Sequence, residues 1–245
     1  MNVFKNYLNL NDSELDKPIY RIIPIKRLEQ LFSCNSNVLV SPEKWDDPFE
    51  NFILKSKIMF DDGELGEIGF RNDYYAQCWS LHSASDAMWR IYSPDSRSVR
   101  IRTTIRKLAE SLSVNLKEWK NTQCFIGKVD YLPNKKLLDF ANTVLTGMPT
   151  PPDFAKTFLV KRPAFEHEKE VRLIFFDKNN VVNADIYKYD VDPHLLIDQI
   201  MTDPRLTKNE SLVSKLEIKK TTGYTGPIKR SLLYSLPEDM VFKFG

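Results

Sequence analysis

Residues Pro163 to Asp177 read PAFEHEKEVRLIFFD, and the fold turns on how this stretch is understood. From Glu170 onward it is a run of strand-forming residues. Glu166, Glu168 and Glu170 recur at every second position, which predicts three carboxylates on one face of a strand. On that alternation Glu168, Glu170 and Arg172 share one face, while Val171, Leu173 and Phe175 share the other. Ionised carboxylates resist burial unless a cation or a hydrogen-bonding ligand meets them. Arg172 can neutralise one of them from the same face. A second glutamate then remains to project into a cleft, where it can accept a ligand hydroxyl and stabilise a developing positive charge.

Working outward, PIYRIIPI (from Pro18), NVLV (from Asn37), YYAQCWS (from Tyr74), SVRIRTT (from Ser98) and QCFIGKVDYL (from Gln123) each predict a strand. Later strands are expected in ADIYKYDV, IDQIMTD and KRSLLYSL. Amphipathic helices are predicted after Pro24, over SASDAMWRIYS, over TIRKLAESLS, through much of 134–159, and from about Lys208 to Leu216. Strands and helices are not regularly interleaved, so the expected class is α+β rather than a doubly wound sheet. Residues 1–17 are expected to form an N-terminal arm, and 18–245 a single domain.

Composition narrows the chemistry. Of 245 residues 42% are hydrophobic, which is ample for a core, and a net charge of +2 announces no nucleic-acid binder and excludes none. Three widely spaced cysteines form no C-x-x-C pair, so a reducing, cytoplasmic setting is expected. No signal-like or membrane-spanning run is visible, so no membrane association is expected. The eight glycines form neither a dinucleotide-binding fingerprint nor a P-loop. His82, His167 and His194 lack helical metal-pair spacing, and no histidine metal site is expected.

Other constellations carry alternatives. Arg21, beside Tyr20 in an apolar strand, reads as a core salt-bridge partner or as an anion clamp, because its guanidinium fork matches phosphate oxygens. Around Ser41, the carboxylates Asp46, Asp47 and Glu50 read as turn and cap residues, or as oxygen ligands of a divalent metal in a nuclease. Ser80 ends a strand. Trp89 and Tyr92, three apart on the following helix, read as core or as a platform for stacking a flat ring. Basic residues in RSVRIRTTIRK and KLEIKKTTGYTGPIKR form a solvated face or a stripe for an RNA backbone.

Taken in order, YR (Tyr20), SPEKWDDPFE (Ser41), CWS (Cys78), MWRIYS (Met88) and FEHEKEVRLIF (Phe165) resemble a bacterial family catalogued as a domain of unknown function. That family occurs in abortive-infection and other phage-defence settings. The resemblance spans about Ile19 to Asp203. It departs at Trp45 and Asp46, where the family usually has phenylalanine and asparagine, and at a glycine missing near Ser98. A more distant resemblance links EKEVRL to the E-x-E strand of ADP-ribosyltransferases, with an arginine–serine–glutamate order matched by Arg21, Ser80 and Glu170. Ser41 competes with Ser80 for the serine.

The resemblance implies a split, strongly bent mixed β-structure with flanking helices, binding NAD without Rossmann glycines. It implies NAD as a substrate, with ADP-ribose passed to a macromolecular acceptor, RNA or other nucleic acid ahead of protein, and an antitoxin as a further partner. Glu170 would hold the ribose 2′-hydroxyl and Glu168 would handle the acceptor. Arg21 and Tyr20 would hold the diphosphate or ribose, Ser80 or Ser41 would orient the ribose, and Trp89 or Tyr92 would stack on a ring. The alternatives are a metal-dependent nuclease on Asp46, Asp47 and Glu50, and a non-catalytic binding or immunity module.

Overall fold

The computed structural model describes residues 4–45, 47–50, 52–59, 62–68, 72–146, 149–178, 182, 184–236 and 241–243. The chain is mixed α+β and divides into two compact units, each drawn from three stretches of sequence.

The first unit comprises 1–19, 36–82 and 104–191. At its centre runs the strand Glu170–Phe176, antiparallel to Tyr74–Ser80 on one side and to Cys124–Lys128 on the other. Six of its seven residues are buried, consistent with a strand covered on both faces. Tyr74, Phe125, Phe158, Leu159 and Ile174 form the core against one face of the sheet. The helix Ile105–Leu116 buries Ile105, Leu108, Ala109 and Leu112, the apolar stripe predicted from its spacing, and Thr104 caps it by accepting from the Lys107 N–H at 3.2 Å.

The N-terminal segment, expected as an arm, adds a short parallel strand, Tyr7–Leu8, beside Cys124–Lys128. Gly127 makes that approach feasible: a Cβ there would collide with the Leu159 side chain and lie 3.0 Å from the Leu8 carbonyl oxygen.

The second unit comprises 20–35, 83–103 and 192–245. Its strands run in the order Pro18–Pro24, Ser98–Thr104, Gln199–Thr202, Ile228–Arg230. The helix Ile25–Cys34 packs on Lys208–Thr222, which opens with a Thr207/Glu210 capping box and closes on left-handed Gly223. Pro24 stands at the N-cap of the first of these helices, which begins directly after it. The last predicted strand, KRSLLYSL, keeps strand geometry only through Arg230; Leu232, Leu233 and Leu236 are exposed, so no sheet neighbour rewards extension beyond it.

The central sequence expectation is corrected in one respect. Glu166 and Glu168 are not on the strand. Pro163 opens a 3-10 turn that runs to Glu168, with the Phe165 N–H donating to the Arg162 carbonyl at 3.1 Å. Lys169 then takes a left-handed conformation, φ +42°, and the strand starts at Glu170. Two-residue alternation therefore fails N-terminal to Glu170.

Candidate functional site: a buried carboxylate cluster

Although Glu168 and Glu170 sit on different elements, both reach the ammonium of Lys161. That residue lies on a two-residue strand, Val160–Lys161, parallel to Asp130–Tyr131. Lys161 Nζ is 2.6 Å from Glu168 Oε2, 2.7 Å from Glu170 Oε1 and 2.8 Å from Glu50 Oε1, which uses all three of its donors. Arg172, with no exposed surface, donates from Nε to Glu170 Oε2 and from a terminal nitrogen to Glu50 Oε2, each at 2.7 Å. Its other terminal nitrogen donates to the Phe158 carbonyl at 2.8 Å, and its guanidinium lies 4.4 Å from the Trp45 ring centroid.

The expectation that these carboxylates face an open cleft is corrected here. Glu168 is 6% exposed and Glu170 4%, and both are compensated by cations. Arg172 neutralises its neighbour as the sequence suggested. Lys161 meets the remaining carboxylate and went unrecognised, because nothing in the local pattern around Val160 marks a buried ammonium.

Three carboxylates face two cations, so the fully ionised cluster holds one surplus negative charge, and Glu168 absorbs it. Burial, together with a hydrogen bond to Glu170, pushes the Glu168 carboxyl from its ordinary 4.5 up to about 7, against the pull of Lys161. Burial also opposes charge on Glu170, but the Arg172 guanidinium, the Glu168 hydrogen bond and Lys161 outweigh it and hold that carboxylate well below its ordinary range. Two adjacent glutamates pushed apart in this way divide into a standing anion and a proton carrier near neutrality.

A linkage effect follows. Between pH 4.5 and about 7 the folded chain keeps a proton on Glu168 that the unfolded chain has lost. The stabilisation is therefore complete below 4.5 and disappears as pH rises through about 7. Chemical denaturation across this range should show wild type losing up to about 3 kcal/mol relative to Glu168→Gln. Parallel pH curves for the two proteins would remove the assignment.

Ser80 stands directly opposite Glu170 in the strand pair. Its hydroxyl donates to the Glu168 carbonyl at 2.6 Å and accepts from the His82 N–H at 3.0 Å, so it fixes the turn that delivers Glu168. The Glu170 N–H donates to the Tyr131 hydroxyl at 2.9 Å; burial pushes that phenol up to about 12. Ser41 accepts from the Glu43 N–H at 3.3 Å and caps the turn leading to Trp45. Its ordering effect thus reaches the cluster through the ring over Arg172.

Of the metal-ligand candidates, Asp46 lies outside the described residues. Asp47 is ion-paired with Arg162 at 2.9 Å, and Glu50 is held by Lys161 and Arg172. Cations thus occupy both Glu50 oxygens and Asp47 Oδ1, while Asp47 Oδ2 is buried without a hydrogen-bond partner among the described residues.

Tyr20, Arg21, Trp89 and Tyr92 belong to the second unit. Trp89 is 1% exposed, which corrects its proposed stacking role: the ring is core. Tyr92, 43% exposed, keeps a face open to solvent. Arg21 is half-buried on its strand.

Residues 88–173 match the model of a family described as protein of unknown function, DUF2971. The resemblance to a family of unknown function holds over that stretch, about a third of the chain. It takes in Tyr92, Lys161, Glu168, Glu170 and Arg172 and leaves Tyr20, Arg21, Ser41 and Ser80 outside. No curated protein matches the sequence. Among solved structures, Thermus sp. 2.9 DarT in complex with NAD+ is similar at 12% identity and a TM-score of 0.41, over 88% of this chain and 96% of that one. The same protein in complex with ADP-ribosylated ssDNA is similar at 10% identity and a TM-score of 0.40, over 88% and 93% of the two chains.

Proposed function

We propose that the protein is an NAD-dependent ADP-ribosyltransferase-like enzyme of the split, bent mixed-sheet type, acting as a toxin in phage defence or a toxin–antitoxin pair. The observation that carries this reading is the Glu168–Glu170 pair, both carboxylates within 2.7 Å of Lys161 Nζ.

Glu170 is assigned the ribose 2′-hydroxyl, and its fixed charge stabilises the oxocarbenium-like transition state as nicotinamide departs. Glu168, once deprotonated, takes the proton of the acceptor nucleophile. Lys161 orients both carboxylates. Ser80 has its hydroxyl proton committed and keeps a lone pair for an amide N–H. The acceptor is a nucleic acid, a reading supported by the basic stretches RSVRIRTTIRK and KLEIKKTTGYTGPIKR.

A non-catalytic binding module is the second reading, and the completeness of the ion pairing favours it. Incubation with NAD labelled on the adenylate, in the presence of RNA, single-stranded DNA or cell extract, separates the two. Label on a nucleic acid is the expected result. Intact NAD with no labelled polymer would leave the cluster a structural salt bridge.

A further inference from the structure

Glu50 is the one carboxylate of the buried cluster that the proposed reaction leaves without a task. It is 7% exposed and reaches both cations, Lys161 Nζ at 2.8 Å and an Arg172 terminal nitrogen at 2.7 Å. The 3-10 turn Pro48–Glu50 delivers it, and Asp47 fixes that turn. The Glu50 N–H donates to the Asp47 carbonyl at 3.0 Å and the Phe49 N–H to Asp47 Oδ1 at 3.1 Å, the same oxygen that pairs with Arg162 at 2.9 Å. Two ion pairs, Asp47–Arg162 and Glu50–Lys161, thus tie the turn to consecutive residues of the chain.

Asp47 and Arg162 balance each other. Among the described residues, Lys161 and Arg172 would balance Glu168 and Glu170 alone, so Glu50 brings the surplus negative charge. In a dry site such a surplus is relieved when one carboxyl takes a proton. Geometry says which one. Glu50 and Glu170 each touch both cations, whereas Glu168 is met by Lys161 and not by Arg172. The other groups on this side of the cluster do not compete for the role. Burial pushes the Tyr131 phenol up to about 12 and raises the Cys78 thiol, while His167 and Lys169, beside Glu168 in the chain, are exposed.

We propose that Glu50 is a positioning residue of the cluster: by holding Lys161 and Arg172 with its own charge, it keeps a proton on Glu168 and so sets the pH at which Glu168 becomes a base. The hold on the proton stands on the ion pairs alone, and its use in catalysis rests on the glycosyl-transfer reading above.

Heteronuclear NMR of the glutamate carboxyl carbons in the full chain, followed across pH, tests it. In wild type one signal, absent from Glu168→Gln, should titrate at about pH 7. In Glu50→Gln, which keeps the side-chain shape, that signal should move down by at least about one pH unit, a roughly tenfold weaker hold on the proton. The pH profile of NAD turnover should move with it. Glu50→Asp, which keeps the charge, should stay nearer wild type. A Glu168 signal that titrates alike in wild type and Glu50→Gln overturns the proposal, as does a wild-type signal in the ordinary carboxylate range. If Glu50→Gln does not fold, Glu50→Met makes the same change of charge; should neither fold, Glu50 holds the fold and not the proton, and the proposal fails. A shifted signal in a protein that never turns over NAD keeps Glu50 in its place and removes the glycosyl-transfer reading instead.

Discussion

Replacing Glu170 by glutamine is expected to lower NAD turnover by about 10²–10³-fold, the usual effect of removing one preorganised charge contact from a transition state. The amide keeps the volume of the side chain and one oxygen for Lys161 or Arg172, so the fold should survive. What it removes is a full negative charge at the first residue of the central strand, where Arg172 keeps the carboxylate ionised. The loss should fall on kcat, with KM for NAD little changed, because the charge matters most once the glycosidic bond is breaking. Turnover measured by nicotinamide release decides it. Full activity in Glu170→Gln would sink the role and return the cluster to architecture.

The second large effect concerns the fold. Arg172→Met should destabilise the protein by about 3–5 kcal/mol, the usual cost of removing one partner from a buried ion pair. For a chain of this size that is a drop in Tm of about 6–20 °C. The loss is steep because Arg172 serves three acceptors at once, Glu170, Glu50 and the Phe158 carbonyl, all within 2.8 Å. Methionine leaves those oxygens desolvated and unpaired. Adding Glu50→Gln and Glu170→Gln should recover part of the loss, since neutral groups tolerate burial better. Thermal denaturation of the single and triple variants measures both arms. A change below about 1 kcal/mol in Arg172→Met would mean that the cluster is wetter than its burial implies.

Lys161 and Arg172 also explain how Glu50, Glu168 and Glu170 are held together in a buried cluster. Each carboxylate has about four lone-pair positions, and the N–H donors of Lys161 and Arg172 fill only some of them.

Sequence alone determined the elements whose pattern is local. The strands Tyr74–Ser80, Ser98–Thr104 and Glu170–Phe176 and the helix Ile105–Leu116 follow from alternation and helical periodicity, because the burial of each face is written into the spacing of its own residues. That Arg172 neutralises one of the glutamates was legible for the same reason, because both were read as lying on one strand face; that the partner on this strand is Glu170 came from the structure.

Only the tertiary structure decided what meets across the chain. Glu50, Lys161 and Arg172 converge from a 3-10 turn, a two-residue strand and the central strand, and no window of sequence contains them together. It also decided that Glu168 arrives from a turn opened by Pro163 and that Trp89 is core. Charge compensation at a distance depends on which segments the sheet brings side by side, and that is a property of the fold rather than of any segment.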